Sequence, residues 1–95
     1  MSQAVPIAPL VTIEFFGMAR QQAGCVEMTT RGRTLAEVLA AVQVACPALN
    51  GLVEYDGQIN RQFLVSIDAG EFLTDSGRAL ESGERVLILG ADVGG

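Results

Sequence analysis

The chain has 95 residues, a formal net charge of −5 and an apolar fraction of 49%. This length fits one small domain, and the apolar fraction argues against disorder. An acidic domain of this size is a poor ligand for nucleic acid or for an anionic membrane surface, so neither is expected as a partner. No apolar run approaches the roughly 18 residues of a membrane span, and the N-terminal segment lacks the pattern of a signal peptide. We therefore expect a cytoplasmic protein.

The sequence contains neither histidine nor lysine. Histidine is the commonest general base and metal ligand, and Schiff-base chemistry requires lysine, so these routes to catalysis are excluded. The two cysteines, Cys25 and Cys46, match no zinc-ligand spacing. We expect them to be reduced thiols that pack as small apolar side chains, and we predict no metal site.

The N-terminal half begins with two predicted strands. Residues 1–10 are assigned to a flexible leader, and apolar side chains alternate along residues 11–17, which is typical of a half-buried strand. Residues 18–24 are expected to be a connection that ends at a turn glycine. Residues 25–30 are predicted to be a second strand that forms a hairpin with the first.

Residues 34–46 carry the clearest helix signal. Thr34 is a favourable N-cap, and Glu37 lies three residues later, which completes a capping-box pattern. Pro47 is expected to end the helix. Apolar side chains at helical spacing define a stripe that should pack on a sheet as the main contribution to folding, comprising Leu35, Val38, Leu39, Val42 and Cys46.

The C-terminal half is predicted to contribute three strands. Residues 48–62 are rich in turn signals and are expected to form a short helical turn and a loop. Residues 63–67 are predicted to be a strand, and residues 68–72 a tight turn that leads into a short strand. Residues 84–89 are the last strand, and their apolar side chains on both faces favour a central position that is covered at least partly on each side.

The predicted order is strand, strand, helix, strand, short strand, strand. The economical arrangement places the last strand parallel to the first in the middle of a mixed sheet, with the helix on one face. This α+β arrangement is the β-grasp fold, which is that of ubiquitin. We assign the domain to residues 11–89 and a flexible tail to residues 90–95.

The tail ends in Gly94 and Gly95. Neither residue has a Cβ, so the pair can enter a slot too narrow for other residues. Six extended residues reach roughly 20 Å, which is enough to carry the terminal carboxylate into the active site of another protein. A carboxylate must first be activated, most simply as an acyl-adenylate made from ATP.

Two reactions can follow that activation. A sulfur donor can displace AMP and leave a thiocarboxylate, or an amine can attack and give protein conjugation. In both cases the chain is a carrier and co-substrate rather than an enzyme. It binds no cofactor of its own, and the partner enzyme uses the ATP.

The tail alone cannot hold such a complex together. Ordering a residue costs about 1–2 kcal/mol, whereas a backbone hydrogen bond returns about 0.5–1.5 kcal/mol. We therefore expect the sheet face opposite the helix to bind the partner, with apolar side chains ringed by acids that face a cationic groove. The candidate partner-binding residues are Phe16, Leu64, Leu87 and Val93.

Three stretches carry a family resemblance: VTIEFFGMARQQAG (11–24), TLAEVLAAV (34–42) and LESGERVLILGADVGG (80–95). They resemble the opening strand with its F-x-x-A-R-x-x-A-G stretch, the helix start and the final strand with its Gly-Gly end in the ubiquitin-like sulfur carriers. This is the family of the molybdopterin synthase small subunit and the thiamine sulfur carrier. The early stretch, which includes Arg20 at the position of the family's arginine, leans toward the molybdopterin type. The usual proline before the tail is absent here.

The resemblance implies that Gly95 is adenylated and thiocarboxylated, and that Gly94 is the slim neighbour that lets it enter the partner. The implied partners are an E1-like adenylating enzyme, a sulfur donor and a sulfur-accepting synthase subunit. Molybdopterin (molybdenum cofactor) biosynthesis is the first expectation, with this chain as the small subunit of a synthase complex. The alternatives are a carrier for cysteine, thiamine or secondary-metabolite synthesis, a ubiquitin-like modifier conjugated through Gly95, or a plain interaction module.

Overall fold

A computed structural model of the chain describes residues 7–91. In chain order the elements are β1 (Leu10–Phe16), α1 (Gly17–Ala23), β2 (Glu27–Arg31), α2 (Leu35–Ala45), a 3-10 turn (Pro47–Leu49), β3 (Phe63–Ile67), β4 (Phe72–Leu73) and β5 (Arg85–Gly90). Within these residues no helix is both long enough and apolar enough to cross a bilayer.

The five strands form one mixed sheet in the order β2-β1-β5-β3-β4. The central pair, β1 and β5, is parallel, with Ile13 opposite Val86 and Phe15 opposite Ile88. β2 pairs antiparallel with β1, and β3 pairs antiparallel with both β5 and β4. The predicted arrangement, with the last strand parallel to the first at the centre of the sheet, is confirmed.

Strand β1 owes its position to its alternating sequence. Val11, Ile13 and Phe15 point to one face and are at most 1% exposed. Side chains two residues apart share a face of a strand, so Thr12 and Glu14 point to the other face, where both are partly exposed. The buried set packs in one core cluster with the apolar stripe of α2, so α2 covers this face of the sheet.

Helix α2 begins and ends as the sequence predicts. The Thr34 hydroxyl accepts a hydrogen bond from the backbone N–H of Glu37 at 3.3 Å, and the helix gives way to the 3-10 turn at Pro47. The Glu37 carboxylate accepts from the backbone N–H of Arg33 at 2.8 Å, one residue earlier than in a standard capping box. Four buried side chains of this helix contribute about 1.5–3 kcal/mol each, namely Leu35, Val38, Leu39 and Val42.

The segment predicted as a plain connection is instead the short helix α1. It is seven residues long and ends at Gly24, whose φ of 76° is left-handed and whose N–H donates to the carbonyl of Arg20 at 2.9 Å. Its only fully buried side chain among the described residues is Ala19. The sequence signal for this helix is a run of good helix formers followed by a glycine at the C-terminal end. The predicted antiparallel pair of β1 and β2 is therefore joined by a helix.

Strand β5 is covered unequally on its two faces. Val86 and Ile88 are fully buried beneath α2, whereas Leu87 and Leu89 are only half-buried on the opposite face. β5 extends to Gly90, the first residue of the segment that the sequence assigns to the tail, and Gly90 pairs with Phe63. The face that carries Leu87 is therefore the candidate binding surface.

Candidate interaction surface and base of the tail

The sheet face opposite α2 brings apolar side chains from three strands together. Phe16 of β1 and Leu64 of β3 both lie opposite Leu89 of β5, and Ser66 of β3 lies opposite Leu87. All are partly exposed except Ser66, which is 2% exposed. The predicted residues Phe16, Leu64 and Leu87 therefore lie on one face of neighbouring strands.

An apolar cleft of about 290 Å³ opens on this face. Phe16 and Leu87 both line it, whereas Leu64 lies beside it on the same face and is outside the lining. Phe72 of the edge strand closes one side and is 56% exposed. The lining is completed by Ser66, Ala69, Gly70 and Leu89. We call the seven lining residues the sheet cleft.

The β3–β4 turn forms one wall of the sheet cleft. Asp68 and Ala69 both have left-handed backbones, with φ of 53° and 59°. Two hydrogen bonds join Asp68 to Arg85. The Asp68 N–H donates to the Arg85 carbonyl at 2.8 Å, and the Asp68 carboxylate accepts from the Arg85 N–H at 2.9 Å. Sequence reasoning predicted a turn here but missed that Ala69, Gly70 and Phe72 belong to the candidate site.

A second cleft, of about 410 Å³, lies at the end of β5. There the N–H of Ala91 donates to the carbonyl of Gln62 at 2.8 Å, which fastens the chain one residue past the strand. A Cβ on Gly90 would lie 3.4 Å from the Cβ of Met18 in α1. Arg61 also lines this cleft, is exposed, and makes no hydrogen bond or ion pair with another residue in the range 7–91. The predicted residues Val93, Gly94 and Gly95 lie outside the described residues.

Solved structures of small proteins share this architecture. Small archaeal modifier protein 1 (SAMP1) from Haloferax volcanii is 22% identical, with 90% of this chain and 99% of that chain covered at a TM-score of 0.75. Molybdopterin converting factor, subunit 1, from Pyrococcus furiosus is 16% identical over 87% of this chain and 98% of that chain, with a TM-score of 0.70.

The BexX/CysO complex of Amycolatopsis orientalis contains a chain that is 19% identical, with 90% of this chain and 99% of that chain covered at a TM-score of 0.73. No family model and no curated protein matches the sequence. The chain has the β-grasp fold. The likeness to small ubiquitin-like proteins that the sequence predicts is thus confirmed in the fold.

A charged cluster adjoins the apolar part of the same face of this β-grasp sheet. Arg85 pairs with the carboxylate of Glu14 on β1, and its guanidinium lies 3.6 Å from the carboxylate of Glu27 on β2. The hydrogen bond to Glu14 and the charges of both acids raise the pKa of Arg85. The face therefore grades from an ion-paired end at β2 to the sheet cleft at β4.

Arg20 of α1 supports the sheet cleft from its edge. Its guanidinium carbon lies 5.7 Å from the centre of the Phe16 ring, and its Nε donates to the carbonyl of Phe15 at 3.0 Å. The resemblance singled out Arg20, and the β-grasp structure gives it a local role in positioning an aromatic side chain of the cleft.

Proposed function

We propose that this chain is a sulfur carrier whose Gly95 carboxylate is adenylated by a partner enzyme and converted to a thiocarboxylate. The observation that carries the proposal is the apolar sheet cleft beside β5, the strand that leads into the tail with its Gly94-Gly95 end. The similarity to a molybdopterin converting factor subunit and to a chain of the BexX/CysO complex supports it.

The proposed chemistry takes place in the partner. The carboxylate of Gly95 attacks the α-phosphate of ATP and releases pyrophosphate, which leaves a mixed anhydride. A sulfide-level donor then attacks the carbonyl carbon and releases AMP, which leaves the thiocarboxylate. The chain contributes reach, since the five residues after Gly90 span roughly 17 Å when extended, and it contributes a narrow terminus without Cβ atoms.

The composition of the chain suits an activated terminus. An acyl-adenylate reacts with amines and thiols, and a side-chain amine is absent because the sequence has no lysine. Of the two thiols, Cys46 is only 6% exposed and its pKa is raised by burial, so it is shielded from reaction with the terminus. Few side chains of the protein itself can therefore attack the activated terminus.

The sheet cleft supplies the docking energy that the tail lacks. Its half-buried side chains Phe16, Leu87 and Leu89 can be desolvated fully by a partner without unfolding the core. Full burial of an exposed apolar side chain is worth about 1.5–3 kcal/mol, and completing the burial of these side chains contributes the remaining part of that energy in addition to the hydrogen bonds of the tail. The net charge of −5 favours a partner with a cationic rim.

Within this class, we assign the sulfur to molybdopterin synthesis first, with the chain as the small subunit of a two-subunit synthase. The Ala-Arg-x-x-Ala-Gly stretch around Arg20 and the likeness to the Pyrococcus furiosus protein favour that pathway. Transfer to cysteine, thiamine or a secondary metabolite uses the same terminus. A deletion strain separates these pathways, because it loses molybdoenzyme activity in the first case, becomes auxotrophic for cysteine or thiamine in the next two, and loses only the secondary metabolite in the last.

The likeness to SAMP1 favours a second candidate, a protein modifier joined to targets through Gly95. In that case the adenylate is attacked by an amine of the target. Because this chain has no lysine, it can be attached once but cannot extend a lysine-linked polymer on itself.

The deciding experiment is the intact mass of the full chain purified from its host cells. A mass increase equal to the exchange of one oxygen for one sulfur supports the carrier, and deletion of Gly95 should abolish it. Covalent adducts on other proteins that vanish in the same deletion identify the modifier instead. Both proposals are overturned if a variant with one alanine added after Gly95 keeps every activity.

A further inference from the structure

Strand β2 lies at one edge of the sheet and, within residues 7–91, pairs with a strand on one side only. It is five residues long, has the sequence EMTTR and contains neither proline nor glycine. The strand at the opposite edge, β4, has only two residues. β2 is therefore the longer free edge, and its outward backbone groups can pair with a strand of another chain.

The hydrogen bonds at the two ends of β2 show which of its residues face the free edge. The carbonyl of Val26 and the N–H of Gly32, which flank the strand, bond to β1 and to the residue just before it, at 2.9 and 3.1 Å. Backbone groups alternate in direction along a strand, so every second residue faces the same way. The backbone N–H and C=O groups of Glu27, Thr29 and Arg31 therefore face away from β1.

The charges of β2 complement those of a second copy of the same strand. Glu27 and Arg31 have opposite charges, are both exposed and lie two residues to either side of Thr29. When two β2 strands pair antiparallel about Thr29, Glu27 of each strand lies opposite Arg31 of the other, with Cα atoms about 5.5 Å apart. Opposite charges at this position stabilise a sheet.

Both charged side chains are available for such a pairing. The Arg31 guanidinium donates to the carbonyl of Ala8 at 2.9 Å, which leaves most of its five N–H donors for a carboxylate. The Glu27 carboxylate lies 3.6 Å from the guanidinium of Arg85, which also pairs with Glu14, and 54% of the Glu27 side chain is exposed. Glu27 can therefore bind a second arginine without leaving Arg85 unpaired.

We propose that β2 is a dimer interface, at which two copies of this chain join their sheets about a two-fold axis at Thr29. Thr29 pairs with Thr29 of the other copy, and a Glu27–Arg31 pair lies on each side of it. Each of these residue pairs exchanges two backbone hydrogen bonds, because all the groups involved face the free edge. The result is one continuous sheet built from both five-stranded sheets.

The inference does not depend on the proposed carrier function. β2 and β4 are opposite edges of the sheet, and the sheet cleft lies toward β4, where Phe72 closes one side. The dimer therefore leaves the sheet cleft of each copy open to another partner. Because each copy contributes one short strand, the interface belongs to the small, transient class, and we expect a Kd of about 100 µM.

The first test is the mass of the full chain in sedimentation equilibrium, at concentrations up to about 1 mM, or roughly ten times the expected Kd. About 0.15 M salt screens the repulsion between two chains that each have a net charge of −5. The average mass should rise with concentration toward that of a dimer. A chain that stays monomeric over the whole range overturns the proposal.

Charge reversal tests the pairing of Glu27 with Arg31. Glu27→Arg and Arg31→Glu each place like charges opposite each other, so either variant alone should dimerise about tenfold more weakly than the wild type. An equimolar mixture should form a mixed dimer, because the two arginines of one copy then lie opposite the two glutamates of the other. If the mixture stays monomeric while the wild type dimerises, the proposal is overturned.

Matched controls separate this pairing from the change in net charge. Glu54→Arg and Arg61→Glu make the same changes in charge at exposed positions outside the sheet. Both should dimerise as the wild type does. The proposal is also overturned if Glu27→Arg dimerises as strongly as Glu54→Arg.

Hydrogen exchange locates the interface within the strand. The N–H groups of Glu27, Thr29 and Arg31 face the free edge, whereas those of Met28 and Thr30 face β1. Between dilute protein and about 1 mM, exchange at the first three should slow by about fivefold, and exchange at the other two should change little. Slowing confined to the sheet cleft would place the contact there and overturn the proposal.

Discussion

The guanidinium of Arg20 lies 5.7 Å from the centre of the Phe16 ring, and the same side chain donates a hydrogen bond to the carbonyl of Phe15. One residue of α1 is thus joined to the last two residues of β1, at the point where the strand meets the sheet cleft. This contact couples the stability of the short helix to the position of an aromatic side chain that lines the sheet cleft.

Replacement of Arg20 should test that coupling. Arg20→Ala removes a cation–π contact and a hydrogen bond to backbone, so we expect the free energy of unfolding to fall by about 1 kcal/mol. Urea denaturation measures the change, and Arg61→Ala is the matched control because Arg61 makes no such contact within residues 7–91. Equal effects of the two substitutions would show that the Arg20 contacts contribute nothing.

The elements that the sequence predicted are those whose signal is local. The alternation through Ile13 and Phe15 and the Thr34 cap each depend on residues near one another in the chain, and both hold in the structure. Helix α1 was missed because a helix of seven residues is too short to be stable by propensity and depends on packing of Ala19 in the core.

The candidate site shows the same division. Phe16 and Leu87 could be assigned to one surface because strand period and sheet order place them there. The wall formed by Ala69 could not be predicted, because two hydrogen bonds between Asp68 and Arg85, 17 residues apart, set the position of that turn. One joins their backbones, and the other runs from the Arg85 N–H to the Asp68 carboxylate. Contacts between distant segments leave no pattern in a local stretch of sequence.

The left-handed backbone of Ala69 predicts an unusual stabilising substitution. An L-residue with a side chain is strained by about 1–2 kcal/mol at the φ of 59° found there, whereas glycine is not. Glycine also makes the unfolded chain more flexible, which cancels part of the gain. We expect Ala69→Gly to raise the free energy of unfolding by about 0.5 kcal/mol.

Thermal or urea denaturation measures this gain, and Gly83→Ala is the reverse control. Gly83 has a φ of 90°, with open space around a Cβ placed on it, so only backbone strain opposes the alanine. That substitution should destabilise the protein by about 1 kcal/mol. Destabilisation by Ala69→Gly would contradict the strain assigned to the turn.

Glu84 should make the stability depend on pH in the acid range. Its carboxylate accepts hydrogen bonds from Arg78 at 3.1 and 3.3 Å and from the backbone N–H of Glu81 at 2.8 Å. The bond from Arg78 is the largest cause of its lowered pKa, followed by that from Glu81. Because the pKa in the folded state lies below the unfolded value, this stabilisation is complete above about pH 5 and is lost as the pH falls through the folded pKa.

Glu84→Gln should therefore cost about 1 kcal/mol at neutral pH, and the difference from the wild type should shrink as the pH is lowered from about 5 to 3. Unfolding in urea at a series of pH values measures it. The control is Glu54→Gln, since the Glu54 carboxylate makes no hydrogen bond or ion pair within the described part of the chain. A pH-independent difference between wild type and Glu84→Gln would rule out this linkage.

The sheet cleft should be needed for charging of the terminus but not for folding. Leu87 is half-buried on the open face, so Leu87→Arg places a charge in the cleft while the buried neighbours Val86 and Ile88 keep the core intact. A residue that anchors the centre of an interface contributes about 2 kcal/mol or more to binding, so for such a role of Leu87 we expect formation of the Gly95 acyl-adenylate by the partner enzyme to fall by about 30-fold at limiting concentration.

The rate of pyrophosphate release measures this charging step, and Val44→Arg is the matched control. Val44 is 83% exposed on α2, on the other side of the sheet. Its replacement by arginine therefore introduces the same charge away from the cleft. It should leave the rate unchanged, which separates a local effect from the change in net charge. If Leu87→Arg is folded and its Gly95 is adenylated as fast as that of Val44→Arg, the partner does not dock on the sheet cleft. The partner must then bind the tail itself and the residues at its base.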